Sequence, residues 1–514
     1  MARTSLIPEN VLRYKPGKCI RVRNDNGTYR VYRYTSVKLP SGKWSSSSGD
    51  LIGKIIPDVG FVPNKRYQKE LDLEQKQKEA DEKKAAFALY SDEITDHAFG
   101  QYDLLMHLSN DVYERLKKFF PLEKATQIYA YALILCANGF VHVDQIDEIY
   151  QESFLFVLYR NFSFKMGTVA LGNLLHDLGM KGEPVRAFEQ SLIDESSKNI
   201  AIDGHVIRSC SNENDLAEPG YKLKLLKAPQ INVLIAYDTK TKVPLMYHTY
   251  RGSSVDKKSC EHLLKSRSFE DVKFVVDRGF FAPILLDLMS SNGNSYIIPV
   301  PKSDNNFKRI KNNLRYGDGE FVYKSGPRDT ARIVYQEESI DDKTRMIFYK
   351  DVDENNSKRK SYKQSMDEGE NGYTPEGYEI VCEWSGVYVL QTTTDEPAAE
   401  VFSDYKDRWS IETYNNYVKN DADFNDLKLQ DYYNMQGFNF IMLVTGLIHS
   451  KLNDAVKSLK KSSISTYDIL LKAGHMRMVK QDDHWALVNT RTKDLTLLKT
   501  MGYIPEVTYP PIAN

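Results

Sequence analysis

The chain has 514 residues, with 69 Lys and Arg against 70 Asp and Glu, and 41% of its residues are hydrophobic. This composition is enough for several folded domains and excludes an intrinsically disordered protein. The balanced charge neither supports nor excludes a nucleic-acid partner, because local patches decide such binding.

The five cysteines are scattered and never spaced as Cys-x-x-Cys. This spacing argues against a zinc site and a disulfide framework, and it is typical of a reducing compartment. The first residues, MARTSLIPEN, lack the apolar segment of a signal peptide. The longest apolar stretches fall short of the roughly 20 residues that a membrane span needs. We therefore expect a soluble cytoplasmic protein with no membrane partner.

The first 195 residues are expected to contain three segments. Residues 1–65 are predicted to be β-rich, because the runs CIRVRN and YRVYRYTSV contain β-branched and aromatic residues that partly alternate. A charged helical connector is expected over 66–97. Residues 98–195 are predicted to form several amphipathic helices.

The pattern changes after residue 195. Residues 196–300 alternate short apolar runs with two plausible helices, which predicts an α/β sheet with carboxylates at strand ends. Residues 301–397 are polar and contain strand-like runs such as RMIFYK, YEIVCEW and GVYVLQTT, so we predict a β-rich insertion. A strong helix is predicted to begin near Ala398, in a second core segment over 398–450. Residues 451–514 are predicted to be helical with a short tail.

The helix that begins near Ala398 carries a stripe of chemically active side chains. At 3.6 residues per turn, four of them fall within about 60° on one face. They are Tyr405, Arg408, Glu412 and Lys419. Such a stripe can hold a cation through the carboxylate while the two basic groups grip phosphate oxygens. The alternative is a common surface ion pair between Glu412 and Arg408.

Two aspartates follow apolar runs upstream of this helix. Asp203 follows NIAI and precedes a glycine, as expected at the end of a buried strand, and a plain turn aspartate is the alternative. Asp277 follows VKFVV and precedes Arg278, and capping of a following helix is its alternative role. Asp238 also ends an apolar run, but DTKTKVP predicts a hairpin turn there.

Three carboxylates from two strands and a later helix can bind two hard cations about 3.5–4 Å apart. Such a pair activates a water or a 3′-hydroxyl and stabilises the leaving oxygen during in-line attack on a phosphodiester. Oxygen ligands favour Mg²⁺, for which Mn²⁺ can substitute. We therefore predict that Asp203, Asp277 and Glu412 are both metal ligands and catalytic residues.

These segments resemble those of a known family. YKDRWSIETYNNYVK is similar to Tyr-x2-Arg-x3-Glu-x6-Lys, the YREK motif of DDE transposases from bacterial insertion sequences of the "insertion sequence four" superfamily. AIDGHVIRSCS and VVDRGFF resemble the segments that carry the first and second catalytic aspartates of that family. The resemblance covers roughly residues 196–300 and 380–450.

The resemblance implies an RNase H-like catalytic core that is interrupted by a β-rich insertion before the last carboxylate. It implies cut-and-paste transposition by end cleavage and strand transfer, often through a DNA hairpin. The implied partners are the terminal inverted repeats of a transposon and a target DNA, bound by a homodimer. By the same resemblance, Tyr405, Arg408 and Lys419 contact DNA phosphates near the scissile bond.

Three residues match the family pattern poorly or only in part. His205 stands where a small hydroxyl residue is common, and it either touches DNA or has a structural role. Trp384 lies in a strand-like run of the insertion, where related enzymes can use a Trp to hold a flipped base, and ordinary packing is the alternative. Trp409, inside the motif helix, is expected to pack in the core.

Basic residues in and beside the insertion are further candidates for contacts with the DNA backbone. They are Lys302, Lys308 and Arg309, together with Arg278 beside the second aspartate. A solvated, lysine-rich surface is the alternative reading of the insertion. The arginine-bearing N-terminal strands and the helices of 98–195 are candidates for recognising transposon ends.

Two other functions stay open beside an active transposase. One is a catalytically inactive or domesticated DNA-binding protein that keeps the fold, and the presence of all three carboxylates counts against it. The other is a related RNase H-like nuclease without strand transfer, and the intact YREK motif counts against that one.

Overall fold

The computed structural model describes residues 7–17, 20–38, 44–90, 95–139, 141–208, 214–220, 229–326, 329–420, 431–459 and 464–510. Within these ranges, the side chains of 34–38, 44–48, 79–90 and 416–420 are not described. The chain divides into two compact units, Met1–Thr95 and Asp96–Asn514.

The first unit is built on an antiparallel sheet with the strand order β1–β2–β3–β4. Its elements are α1 (Glu9–Leu12), β1 (Ile20–Asp25), β2 (Thr28–Lys38), β3 (Trp44–Ile56), β4 (Gly60–Pro63) and α2 (Lys65–Tyr90). One face of the sheet buries Val22, Val31 and Ile55 in a small core. Strands and a charged helix are thus present where the sequence pattern predicts them.

The second unit opens with a short strand and a run of helices. These are β5 (Asp96–Ala98), α3 (Gly100–Leu108), α4 (Asn110–Phe119), α5 (Leu122–Asn138), α6 (Ile146–Glu152), α7 (Phe154–Leu158), α8 (Thr168–Met180) and α9 (Gly182–Asp194). α5 is buried along most of its length from Ala125 to Cys136. A helix that is apolar all round lies in the core, and α5 is the centre of this helical part.

A large mixed sheet follows, and its first half alternates with two helices. The elements are β6 (Asn199–Arg208), β7 (Glu218–Pro219), β8 (Pro229–Asp238), β9 (Val243–Arg251), α10 (Asp256–Ser266), β10 (Lys273–Val276), α11 (Pro283–Met289) and β11 (Ser295–Pro299). β6, β10 and β11 run parallel, whereas β8 pairs antiparallel with both β6 and β9. The predicted mixed α/β class is confirmed.

The second half of the sheet comes from the insertion and the strand after it. The elements are α12 (Asn305–Ile310), β12 (Gly319–Lys324), β13 (Thr330–Ser339), β14 (Arg345–Asp351), α13 (Val352–Asp367), α14 (Pro375–Trp384) and β15 (Val387–Thr392). In the described residues the strand order is β12–β13–β14–β15–β11–β10–β6–β8–β7, with β9 also on β8.

The insertion is only partly β-structured. YEIVCEW, which was predicted to be a strand, belongs to helix α14. The Thr374 side chain accepts a hydrogen bond from the Gly377 N–H, and Pro375 occupies the first turn. A capping hydroxyl followed by proline favours a helix start, and this local signal outweighs the β-branched and aromatic residues downstream.

The chain then returns to helices and ends in a small sheet. The elements are α15 (Ala398–Asp407), α16 (Trp409–Asn420), α17 (Tyr432–Ser458), α18 (Thr466–Ala473), β16 (Arg477–Lys480), β17 (Trp485–Val488), α19 (Thr492–Thr500) and β18 (Thr508–Tyr509). β16 pairs with β5, so the last part of the chain joins the first strand of the unit. The predicted helices of residues 451–514 are present, but the prediction missed the strands β16 and β17 between them.

α17 is the long central helix of the second unit and packs against α8, β9 and α5. Its backbone approaches α8 so closely that a methyl group at Gly437 would overlap the Leu175 carbonyl. α15 covers the other side of the sheet, where Val401 and Phe402 pack against Val275 and strands of the insertion. Among the described residues, no helix combines the length and the apolar character that a membrane crossing requires.

Candidate active site

Asp203 and Asp277 lie at the same level of two neighbouring strands. β6 and β10 are parallel, and Ile202 pairs with Val276, so the next residue of each strand is one of the two aspartates. Neighbouring strands are about 4.8 Å apart, and residues at one level of a parallel pair share a face. The sheet therefore brings two carboxylates that are distant in sequence to one place.

Asp203 was predicted to lie at the end of its strand, but it lies within the strand. β6 continues to Arg208, and Asp203 pairs with Ile235 of β8 in the antiparallel ladder. The pairing with β10 stops one residue earlier, at Ile202, because β10 ends at Val276. The strand is longer than its apolar run indicates because β8 supports it on the other side.

Asp277 follows β10 directly and is exposed. Its backbone carbonyl accepts a hydrogen bond from the Phe280 N–H at 3.0 Å, while its side chain does not cap the short turn that follows. α11 begins only at Pro283, with Ala282 in the N-cap position. Helix capping therefore does not account for this carboxylate.

One hydrogen bond holds the Glu412 side chain, and a second joins its helix to Asp203. Arg408 Nη2 donates to Glu412 Oε1 at 2.9 Å. Asn415 Nδ2 donates to Asp203 Oδ2 at 2.8 Å, from α16 to β6. Residues three apart on a helix share a face, so Glu412 and Asn415 point to the same side. The face of α16 that carries Glu412 is therefore directed toward the strand of Asp203.

Asn415 is a site residue that the sequence reasoning missed. Its side chain is buried, and its amide orients one carboxylate of the predicted catalytic set. The available signal was its spacing of three residues from Glu412. Asparagine is common on exposed helix faces too, so this spacing becomes informative only when the partner strand is known.

Arg408 connects the carboxylates electrostatically. Its side chain is only 10% exposed, and burial disfavours the charged guanidinium. The neighbouring Tyr405, Asp277 and Glu412 outweigh this effect and raise the pKa of Arg408 above its usual value. One guanidinium thus lies in the field of two carboxylates that come from different elements.

Tyr405 lies beside Arg408, whose Cζ is 5.7 Å from the centre of the phenol ring. Burial raises the pKa of Tyr405, the Arg408 charge opposes this, and the charges of Asp277 and Glu412 raise the pKa further. The phenol therefore stays protonated near neutral pH and is able to donate a hydrogen bond.

The predicted continuous motif helix is interrupted at Arg408. α15 ends at Asp407 and α16 begins at Trp409, while Arg408 itself keeps helical angles of φ −51° and ψ −32°. The interruption is slight, and the contact from Arg408 to Glu412 survives it. The backbone of α16 extends past Lys419, but that side chain lies outside the described residues, so its place in the stripe stays a prediction.

The carboxylates do not form a ready-made metal centre. Among the described residues, no group of three or more His, Cys, Asp or Glu side chains is placed to hold a metal ion. Glu412 Oε1 faces Arg408, and Asp203 Oδ2 faces Asn415. The donor set still fits hard cations, because all three groups offer carboxylate oxygens and two of them are adjacent on the sheet.

A cavity of 320 Å³ lies beside Asp277. The side chains of Trp384, Tyr388 and Tyr405 contribute aromatic rings to its lining, and Lys302 contributes a cation. The Lys302 ammonium is 5.6 Å from the centre of the Trp384 ring. An aromatic and cationic cavity of this kind suits a planar, negatively charged or electron-rich group next to the carboxylates.

Trp384 reaches this cavity from the end of helix α14, so its predicted position in a strand was wrong. Its ring packs 5.6 Å from the ring of Phe307, in a small apolar cluster with Val300 and Phe348. Trp384 is partly buried, and its contact with Phe307 is ordinary packing. It also lines the cavity, and a role in holding a flipped base stays a prediction.

A second cavity of 690 Å³ also lies beside Asp277, and of the predicted basic residues Arg278 lines it. Arg278 lines both cavities. Lys308 and Arg309 are in the last turn of α12, whose first residue, Asn305, lines the second cavity. Arg278, Lys302, Lys308 and Arg309 are all exposed.

Trp409 is 65% exposed, so the prediction that it packs in the core was wrong. α16 buries Ile411 and Tyr414, and at 100° per residue Trp409 points roughly opposite to Ile411. His205 is buried on β6, at 5% exposure, as the structural alternative for that residue expects.

A buried charge network fastens α15 to the sheet beside the site. Asp404 Oδ1 accepts from Lys240 and Asp404 Oδ2 accepts from Lys273, both at 2.5 Å. Lys273 also contacts Glu396, and Lys240 contacts Asp407. Because Lys273 begins β10 and Asp404 precedes Tyr405, this network sets the motif helix relative to Asp277.

α16 is held from its other side by Tyr414. The hydroxyls of Tyr414 and Tyr247 of β9 are hydrogen-bonded. Gly446 of α17 passes so close to Tyr414 that a methyl group there would overlap the phenol oxygen and Pro244. The helix that carries Glu412 is therefore fixed both by the sheet and by the central helix.

The fold is a mixed α/β domain in which Asp203 and Asp277 lie at one level of two parallel strands, and the helix that carries Glu412 is hydrogen-bonded to Asp203. Residues 195–445 match the family model of the transposase DDE domain. The matched segment occupies just under half of the chain and includes Asp203, Asp277, Arg408, Glu412 and Asn415.

Among solved structures, the chain is similar to a chain of the cryo-EM structure of a piggyBac transposase synaptic complex with hairpin DNA. The identity is 12%, the match covers 69% of this chain and 71% of that chain, and the TM-score is 0.35. No curated protein matches the chain.

Proposed function

We propose that the protein is a DNA transposase that cleaves phosphodiesters at transposon ends and joins them to a target DNA. The observation that supports this proposal is that Asp203 and Asp277 lie at one level of neighbouring strands, with the helix of Glu412 hydrogen-bonded to Asp203. The strand register aligns the two aspartates, and the Asn415–Asp203 hydrogen bond directs the Glu412 face toward them. The match of the surrounding segment to the transposase DDE domain gives this arrangement its chemical meaning.

The strand order supports an RNase H-like core. β9, β8 and β6 form an antiparallel run, and β10 and β11 then add parallel strands through helical crossovers. The insertion of 301–397 enters the same sheet before the last carboxylate. Membership of the "insertion sequence four" superfamily rests on the YREK spacing of Tyr405, Arg408, Glu412 and Lys419.

Asp203, Asp277 and Glu412 would hold the divalent cations, Mg²⁺ or Mn²⁺ by the hardness of their oxygens. Two such ions, when bound, supply activation of a water or 3′-hydroxyl and neutralise charge on the leaving oxygen. The chain's own part is positional. Asn415 fixes the orientation of Asp203, and Arg408 holds Glu412 next to the pair until the ligands are complete.

Tyr405 and Arg408 are proposed to bind the phosphate that reacts. The Arg408 guanidinium keeps its charge although it is largely buried. Charge-assisted hydrogen bonds to phosphate are stronger in such surroundings than in water. The protonated phenol adds a neutral donor beside it. If Glu412 held a metal ion instead, the Nη2 donor of Arg408 would be available for a phosphate oxygen. Lys419 is proposed to extend this contact along the backbone.

The 320 Å³ cavity is proposed to take a base that is turned out of the duplex near the cut. Trp384 offers a face for stacking, and Lys302 lies over the same ring. Arg278, Lys308 and Arg309 are proposed to follow the flanking phosphates. We further propose that the protein binds inverted repeats at both transposon ends and pairs them as a homodimer. This part of the proposal rests on the YREK motif alone.

A catalytically inactive DNA-binding protein with the same fold is the second candidate. One observation favours it, namely that Glu412 is bonded to Arg408 and not grouped with the aspartates. In that reading, the Arg408–Glu412 pair is a permanent structural ion pair, and added metal does not change the protein.

The test uses the full chain with DNA that carries the genomic ends of its element. We expect end cleavage and joining with Mg²⁺ or Mn²⁺, and a loss of about 10³-fold or more in Asp277→Asn and Glu412→Gln, because a lost metal ligand removes several kcal/mol of transition-state stabilisation. Asp287→Asn, an exposed aspartate on α11, is the matched control.

A second readout does not depend on turnover. Mn²⁺ should raise the melting temperature of the wild type and of Asp287→Asn, but not of Asp277→Asn, because ligands that bind the native state stabilise it. DNA binding without cleavage, together with no stabilisation by metal, would favour the inactive protein. Cleavage without joining would favour the related nuclease.

A further inference from the structure

The first unit has a sheet face on which cations stand opposite one another. The register pairs Arg23 of β1 with Arg30 of β2, and Arg30 in turn with Lys54 of β3. Directly paired residues of antiparallel strands share a face. One row of three cations therefore crosses three strands, over about 10 Å at a strand spacing of about 4.8 Å. Arg21 and Tyr32 form the next pair on the same face.

We call Arg21, Arg23, Arg30, Tyr32 and Lys54 the basic sheet face. The four basic residues are exposed and Tyr32 is half-buried. The opposite face supplies the core of the unit, where Val22, Val31 and Ile55 are buried. The alternation of β-strands thus separates an apolar inside from a cationic outside, and within this unit the basic sheet face is turned to solvent.

The charge of this segment departs from that of the chain. Residues 1–63 contain eleven Lys and Arg but only four Asp and Glu. The whole chain is balanced, with 69 basic and 70 acidic residues. A local excess of this kind is the usual electrostatic footprint of a polyanionic partner.

The row is unfavourable for the isolated fold. Like charges directly opposite each other on a sheet destabilise it, and two successive pairs here are like-charged. Asp25 lies 3.4 Å from Arg30, but both side chains are about half exposed, and such pairs contribute little. Arg23 stacks over the Tyr32 ring at 5.3 Å, which leaves its charge in place. Unfavourable local arrangements of this kind are expected mainly at functional sites. The like-charged row therefore indicates a binding role for this face.

We infer that the basic sheet face binds the phosphate backbone of duplex DNA. The inference rests on the proposed function for the identity of the polyanion, whereas the surface itself rests on register, exposure and charge. Cations held on rigid strands lose little conformational freedom when they bind a regular array of phosphates. Backbone contacts position a duplex without reading its sequence, so this face is expected to hold DNA of any sequence.

The test compares two triple variants of the full chain. The first is Arg23→Gln, Arg30→Gln and Lys54→Gln. The control is Lys65→Gln, Lys69→Gln and Lys76→Gln, three exposed cations on α2 of the same unit. Both variants lose three positive charges, so any effect of net charge alone is the same in both. Circular dichroism checks that both keep the wild-type spectrum.

Binding is measured by fluorescence anisotropy without divalent cations, on duplexes with and without the transposon ends. We expect the first variant to bind both duplexes at least tenfold more weakly at about 150 mM salt. The slope of log affinity against log salt should fall by about 2 to 3, since each lost phosphate contact contributes about 0.9. The control should stay within about twofold of the wild type.

Equal losses in both variants, or no loss in the first, would overturn the inference. So would a loss of binding to anionic lipid vesicles with unchanged binding to DNA. Failure of the proposed function has a different signature, because cleavage is measured separately. If the wild type cleaves no DNA but the first variant still binds duplexes more weakly than the wild type, the proposed transposase function is contradicted. The inference about the basic sheet face then stands.

Discussion

The amide of Asn415 is the smallest feature on which the site depends. It donates to Asp203 Oδ2 at 2.8 Å and is buried, so no water replaces it easily. We predict that Asn415→Ala reduces metal-dependent cleavage by about 10- to 100-fold, as is usual when a group that orients a metal ligand is removed. The concentration of Mn²⁺ needed for half-maximal cleavage should rise, because Asp203 then loses the hydrogen bond that orients its Oδ2.

The control for Asn415→Ala is Thr413→Ala, an exposed neighbour on the same helix. Loss of the hydrogen bond to a carboxylate also costs about 1–3 kcal/mol of folding stability. A fall in stability with an unchanged Mn²⁺ requirement would show that Asn415 only supports the fold. The metal titration therefore separates a positioning role from a structural one.

At the scale of single residues, the sequence indicates chemistry better than position. The residue types and spacing of Asp203, Asp277 and Glu412 are sufficient to nominate them. Their adjacency depends on β6 and β10 being neighbours in register, which no local pattern encodes. Trp409 shows the same limit, because its exposure follows from which face of α16 the sheet and α17 happen to bury.

Elements are placed by buried charges as well as by apolar packing. Lys273 is 12% exposed and contacts both Glu396 and Asp404, so it joins β10 to α15. We predict that Lys273→Met lowers the free energy of unfolding by about 2 kcal/mol, because it removes one of the two cations that contact the buried Asp404 carboxylate. Urea unfolding measures this loss, and cleavage should fall with it because Tyr405 follows Asp404 on the displaced helix.

The double variant Lys273→Met with Asp404→Leu is the informative control. When both partners are replaced by apolar groups, the cost should be smaller than the sum of the two single costs. Additive losses would instead mean that the two groups do not act on each other. If the double variant regains stability but still cleaves poorly, the loss of cleavage comes from the changed position of α15 and not from lost stability.

The elements that the sequence predicts well are those with a simple period and strong flanking signals. β8, β9, β10 and β11 appear as apolar runs between turns, as expected. Thr374 and Pro375 indicate a helix start, but a strand was predicted instead of α14. The β-branched and aromatic residues of YEIVCEW received more weight than these two residues. The strands β16 and β17 are four residues each, too short for any alternation to emerge, and they are stabilised by β5 from far upstream.

At the scale of the whole molecule, the two units have separate apolar cores. The core of the first unit lies within residues 7–67, and the large core of the second extends from Tyr102 to Tyr503. The matched DDE segment, 195–445, belongs wholly to the second unit. The chemistry and the basic sheet face are therefore carried by different parts of the chain.

This division predicts the behaviour of a deletion variant that begins at Asp96. It keeps every residue of the candidate active site and the whole core around α17, so we expect a cooperative thermal transition that Mn²⁺ still raises. Its affinity for duplex DNA should fall at least as far as in the Arg23, Arg30 and Lys54 variant, because the same phosphate contacts are gone. Cleavage should return at high concentrations of protein and DNA, where binding no longer limits the rate. Wild-type affinity in the deletion variant would place the DNA contacts entirely on the second unit, and loss of the thermal transition would show that the second unit depends on the first.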